Sequence, residues 1–135
     1  MAIVIGIILA LIVSLFARVV GLDRDRAFYP TVLVVVASYY GLFAVIGGAP
    51  SAIVMESAAM LIFLAAVVLG FRRNLWLAVA GLLGHGIFDF FHGQLIANPG
   101  VPTWWPMFCL AYDASAAAVL AALLWARAIS ARPAG

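Results

Sequence analysis

Three ionisable side chains, His85, Asp89 and His92, stand within eight residues of an otherwise apolar segment, His-Gly-Ile-Phe-Asp-Phe-Phe-His. Their i, i+4, i+7 spacing puts all three on one face of a helix. Imidazole and carboxylate at that spacing can ligate a divalent cation, pass a proton, or hold packed helices in register. Two more carboxylates, Glu56 and Asp113, also interrupt apolar runs. With the stripe they account for every His, Asp and Glu of the chain except Asp23 and Asp25, which sit in a polar connection.

Composition says what surrounds these five. The chain is 68% hydrophobic and 9% charged, against about 25% charged residues in soluble domains, and its mean hydropathy is +1.24. Those values exclude an ordinary water-soluble domain and predict several membrane spans. In a bilayer an ionisable side chain is expensive and marks a functional site by default. The seven basic residues, all arginine, are scattered rather than clustered, so they read as orientation signals and no nucleic-acid partner is expected. One cysteine, Cys109, excludes an intramolecular disulfide. The first apolar run lacks a basic leader and a small-x-small cleavage pattern, and is read as a retained span.

A span needs roughly 20 apolar residues, about 17 at the short end. Five segments qualify, at about 2–20, 31–48, 51–70, 75–97 and 106–129. The expected fold is therefore all-α, a single integral-membrane domain over 1–135 forming a five-span transmembrane helical bundle. Ser51 and Asn74 are expected as N-caps, and Pro30 and Pro106 in first helical turns. The short Gly47-Gly-Ala-Pro50 connection forces spans two and three into an antiparallel hairpin. Arg18, Arg24 and Arg26 follow span one, Arg72 and Arg73 follow span three, and Arg127 and Arg132 follow span five. Alternate crossing puts all seven on one side, so the N-terminus is expected outside and the C-terminus in the cytoplasm. Trp104 and Trp105 then fall in an outer aromatic belt, and Tyr29, Trp76 and Trp125 in an inner one.

A rise of about 1.5 Å per residue converts this topology into depth. His92 comes out roughly 8 Å below the outer end, Asp89 about 12 Å, His85 about 18 Å, Glu56 about 8 Å and Asp113 about 10 Å. Glu56, Asp89, His92 and Asp113 are thus expected in one layer, with His85 beneath. Ala78 and Gly81 continue the stripe's face, and Ala114 to Ala118 surround Asp113, small residues that suit close helix contact. A lipid-facing acid at mid-span costs about 2.5–3.5 kcal/mol, which favours clustering inside the bundle.

Carboxylates and imidazoles converging in a dry interior are a metal-ligand set, and zinc takes three or four such donors. His85 and His92 are about 10 Å apart along their helix, so the expected metal ligands are Glu56, Asp89, His92 and Asp113. The cofactor is a divalent metal, zinc first, with iron or manganese equally suited to carboxylate donors. The catalytic residues expected are Asp89, at the ion, and His85, shuttling protons. Metal-bound water can ionise near neutral pH, so the first reading is a metal-dependent membrane hydrolase of a lipid or small apolar substrate. The second is a proton-relay or small-solute transport component using the same residues, and the third a structural subunit whose polar network sets helix register. The partners expected are the lipid bilayer, that apolar substrate and further copies of the chain in a homo-oligomer. Cys109, one turn from Asp113, reads as a buried structural thiol or a soft ligand. Tyr112 reads either as a hydrogen-bond donor to the site or as a residue near the interface, and Ser38, Tyr39 and Tyr40 read as packing, with one hydroxyl free to face the cluster. Ser57 points away from Glu56 on its helix and is not expected to serve as a nucleophile. The outer loop from Asn98 to Pro106 reads equally as a roof over the cluster or an interfacial anchor.

The run from His85 to Asp113, with Asn-Pro-Gly-Val-Pro-x-Trp-Trp-Pro-x-Phe-Cys-x-x-Tyr-Asp following the stripe, resembles a family of small bacterial integral-membrane proteins classed as domain of unknown function 6010. The resemblance covers most of the chain and implies a multi-pass protein of the bacterial inner membrane. The Glu, His and Asp in membrane helices are also distantly similar to the alkaline-ceramidase and progestin-receptor-like membrane hydrolases. That likeness implies zinc-dependent cleavage of a lipid amide or ester. The chain departs from that superfamily in having five expected spans rather than seven, and no His-x3-His in the last.

Overall fold

The computed structural model of the chain describes residues 1–133. Among these there are five α-helices and no strand: α1 (Ala2–Val20), α2 (Phe28–Ile46), α3 (Pro50–Arg72), α4 (Trp76–Leu95) and α5 (Trp105–Trp125). Four of them, α1, α2, α3 and α5, are long and apolar enough to cross a membrane. The fourth, α4, has 20 residues, but His85, Asp89, His92 and Gln94 dilute its hydropathy.

Local signals explain most boundaries. Pro50 opens α3 at its first position, with Ala49 in the extended conformation as N-cap. Ser51 is therefore inside the helix, not its cap, because proline takes N1 where a missing N–H costs nothing. Leu75 occupies the N-cap position of α4. Asn74 still serves that helix end, since its Oδ1 accepts the Trp76 N–H at 3.0 Å. Pro30 and Pro106 both fall in first turns. Helix α2 starts three residues before the apolar segment read from sequence, as Phe28 and Tyr29 pack inward and bring the first turn with them. Tyr29 is 2% exposed and belongs to the core with Ala10 and Leu33. It is not an interfacial belt residue; the small side chains of α1 leave room for its ring.

The helices pack in the spatial order α1, α5, α4, α3, α2, and α2 closes the bundle against α4 and α5. Helix α1 buries only Gly6, Ala10, Ser14 and Ala17, a stripe of small residues, while Ile8, Leu11, Ile12 and Leu15 point outward. A Cβ on Gly6 would collide with the Phe108 carbonyl oxygen and sit 3.1 Å from Ala111 Cβ. Glycine there is what lets α1 lie against α5 at backbone contact.

The connections after α1 and α3 and the segment after α5 meet at one end of the bundle. The Arg26 guanidinium donates to the Phe71 carbonyl at 3.0 Å and to the Ser130 carbonyl at 3.3 Å. The Leu75 N–H donates to Ala131 O at 2.9 Å, and Arg18 pairs with buried Asp23 at 3.3 Å. Arg26 adopts φ 72, a left-handed conformation that costs a non-glycine residue about 1 kcal/mol. Its carbonyl contacts to two other segments offset that cost. At the opposite end, Gly100 of the α4–α5 loop packs on α2, where any side chain would meet the Phe43 carbonyl. The loop is thereby seated on the ends of α2 and α3.

Candidate metal centre and its polar neighbours

All five ionisable residues of the apolar segments turn inward, with Glu56 and His92 2% exposed, His85 1%, and Asp89 and Asp113 0%. The bundle sorts them into two groups rather than one layer. In the deeper group, His85 Nδ1 lies 2.6 Å from Asp113 Oδ2, so the imidazole N–H donates to that carboxylate. The same nitrogen is 3.4 Å from Asp89 Oδ2. The Tyr40 hydroxyl donates to Asp89 Oδ1 at 2.7 Å. Cys109 is buried a turn from Asp113. His85, Asp89, Cys109 and Asp113 each bring one ligand atom to within 4.8 Å of the others.

In the second group, His92 Nε2 lies 2.7 Å from Glu56 Oε1. Asn98 donates to that same oxygen at 2.9 Å and to the Tyr40 carbonyl at 3.1 Å. Its own Oδ1 accepts the Gly100 N–H at 3.2 Å. The Tyr40 ring stacks on His92, with centroids 4.0 Å apart and planes at 19°. Tyr40 thus touches both groups, its ring against one and its hydroxyl against the other.

The expected ligand set of Glu56, Asp89, His92 and Asp113 is therefore divided. Asp89 and Asp113 stay together, but His85 and Cys109 complete their group, while His92 and Glu56 pair apart. The reason is vertical offset. Asp113 lies eight residues into α5, whereas His85 lies ten residues before the end of α4, and the two meet side by side. Helix α5 must enter deeper than α4 exits, since the connecting loop folds inward through Asn98 instead of running level across the top.

A metal is a reasonable occupant on chemical grounds. Asp89 Oδ2 and Asp113 Oδ1 are buried without a hydrogen-bond partner, a costly condition in an apolar interior. A divalent ion would neutralise two of the three negative charges of Asp89, Asp113 and a Cys109 thiolate, and a neutral imidazole would complete the four-donor set. Tetrahedral zinc at 2.0–2.3 Å from its ligands spaces them about 3.3–3.8 Å apart. The donor atoms, all within 4.8 Å of one another, would draw together by no more than about 1.5 Å, and the His85–Asp113 hydrogen bond would open to admit the ion.

Comparison of the chain with family models, with curated proteins and with solved structures found no match in any of the three.

The sequence alone singles out neither Asn98 nor Tyr40, and it offers Cys109 as either a structural thiol or a soft ligand. Asn98 sits at a Pro-Gly turn and looked like loop chemistry alone. Tyr40 was one of three neighbouring hydroxyls, and only the rotation of α2 selects it. Cys109 carried a usable signal in its i, i+4 spacing to Asp113. Ser57 behaves as its helix position implies, donating to the Ile53 carbonyl at 2.7 Å on an exposed face.

Two openings flank the centre. A cavity of about 340 Å³ runs between α1, α2 and α5, bordered by Tyr39, Trp105, Cys109 and Tyr112, and is almost wholly apolar. A second, of about 330 Å³, lies under the α4–α5 loop and is bordered by His92, Asn98, Thr103 and Pro106.

Proposed function

We propose that the chain is a five-span protein of the bacterial cell membrane that binds one divalent metal, zinc first among them, through His85, Asp89, Cys109 and Asp113, and acts as a metal-dependent hydrolase on a lipid or small apolar substrate. The observation that carries the metal is the four-donor group with its two unpartnered carboxylate oxygens. A divalent ion held there would supply Lewis acidity to a water or substrate oxygen that joins the four protein donors or displaces one of them. Asp89 and Asp113 would hold the charge, the Tyr40 hydroxyl fixes the orientation of Asp89, and the imidazole of His85, which stands between both carboxylates, would turn its Nδ1 from Asp113 to the ion.

The reading of α4 as the fifth span rests on its place between α3 and α5 and on its inward-facing polar residues. With α4 crossing, every arginine falls at one end, which the positive-inside rule assigns to the cytoplasm, leaving the N-terminus outside. The apolar substrate is supported by the cavity beside Cys109, which reaches the bundle surface at Leu9 and Tyr39. Its volume is at the lower end of ligand pockets, about 300–1,000 Å³.

A transmembrane proton relay is the weaker reading. Toward the arginine-rich end, Leu33, Leu82 and Leu120 are 0% exposed and Ala117 is 1% exposed, forming an apolar floor beneath His85 and Asp113. The polar residues open toward one end only, which suits a site better than a passage.

Metal analysis of protein purified in detergent without chelator tests the proposal. The expected result is one divalent ion per chain in the wild type and none in Asp113→Asn. A metal-free wild type after incubation with zinc, or an unchanged content in the variant, would count against it.

A further inference from the structure

Glu56 and His92 form a buried pair outside the four-donor centre and nearer the α4–α5 loop. Their contact is 2.7 Å, yet Glu56 Oε2 has no partner although the residue is 2% exposed. Asn98 anchors the other carboxylate oxygen. His92 and Asn98 border the cavity beneath the loop, and Glu56 lies directly behind them, bonded to both. Charge is strongly partitioned as well. All seven arginines belong to the far end, and the residues around the vestibule and centre supply the carboxylates of Glu56, Asp89 and Asp113 with no fixed cation. The vestibule lining itself is uncharged apart from His92, so the pull on a cation comes from the carboxylates buried behind it, acting through a low-dielectric interior.

The pair is also contiguous with the centre. Asp89 is one helical turn from His92, and Tyr40 covers the gap, its ring on His92 and its hydroxyl on Asp89. An ion leaving water for a buried centre loses hydration at large cost. Replacing that hydration at successive sites is how protein pathways keep the cost of each move small.

We propose that Glu56 and His92 are an intake site, where a divalent cation from the vestibule is first held before it passes Tyr40 to the four-donor centre. Glu56 Oε2 provides the open oxygen, and His92 provides a nitrogen once the ion displaces its bond to Glu56. Tyr40 is the gate, since its side chain must swing aside for the ion to advance. This inference rests on the metal reading above and adds a route and a second cation site to it.

The test follows cobalt(II) entering apoprotein in detergent, using the thiolate-to-cobalt absorption that appears when the ion reaches Cys109. Glu56→Gln, His92→Gln and Thr103→Trp are compared with wild type by rapid mixing. Thr103 is exposed on the loop and borders the vestibule, so its replacement narrows the entry without touching the buried pair and keeps the test sound should either pair variant misfold. The expected result is that Glu56→Gln slows loading about tenfold, the low end of what charge steering adds to an on-rate, that His92→Gln and Thr103→Trp slow it as well, and that the final absorption is unchanged. Wild-type rates with full absorption would overturn the intake site and leave the metal centre standing. Loss of final absorption in a folded Glu56→Gln or His92→Gln would overturn it too, making those residues ligands of the centre itself. No cobalt absorption in the wild type would overturn the metal centre and its intake site together.

Discussion

Replacing His85 by alanine is expected to destabilise the bundle by about 3–5 kcal/mol, the cost of removing one member of a buried ion pair. Among the described residues the imidazole is the one side-chain hydrogen-bond partner of Asp113, and it lies between that residue and Asp89. Without it two carboxylates face each other in a dry interior, joined by a cavity where the ring had packed against Phe63 at 4.7 Å. Protonation of one acid relieves part of the repulsion but leaves its partner unsatisfied. His85→Asn, which keeps a donor near Asp113, should lose less. Ser57→Ala, on the exposed face of α3, should stay within about 0.5 kcal/mol of wild type. Unfolding of metal-free protein in mixed detergent micelles measures all three. A wild-type midpoint for His85→Ala would mean that the contact does not bind α4 to α5.

The second large effect comes from the ion. A ligand that binds only the folded state stabilises it by RT ln(1 + [L]/Kd), about 4 kcal/mol at a thousandfold excess over Kd. Titrating zinc into the apoprotein should therefore raise its unfolding midpoint, and a chelator should reverse the shift. Asp89→Asn and Asp113→Asn each remove a charged donor and should abolish the shift, and Cys109→Ser should reduce it. The size of the shift, not the starting stability of each variant, is the readout, because buried substitutions change the baseline as well. An equal shift in all variants would put the ion elsewhere, with Glu56, whose Oε2 is buried without a partner, the next carboxylate to examine.

Much of this arrangement is written in the sequence. Apolar run length and the Gly-Pro and Arg-rich interruptions delimit the five helices to within a few residues, since helix boundaries follow local chemistry. The His85, Asp89, His92 stripe does face inward, as its spacing implies. The pairing of acids with histidines is not legible in the same way. Depth counted along each helix assumes level ends, and the inward fold of the loop at Asn98 breaks that assumption for α5. Asp113 consequently meets His85 instead of sharing a level with His92. Helix rotation is equally hidden, because α2 and α3 are apolar nearly all round and their periodicity selects no face. Only the packed bundle shows that Tyr40, not Ser38 or Tyr39, reaches Asp89, and that Glu56 turns toward His92.

X-ray absorption at the zinc edge, on protein loaded with one zinc per chain, tests the four-donor centre most directly. The expected spectrum has one sulfur at about 2.3 Å and three nitrogen or oxygen donors at about 2.0–2.2 Å, and it loses the sulfur in Cys109→Ser. A shell of nitrogen and oxygen alone, the same in wild type and Cys109→Ser, would contradict that assignment.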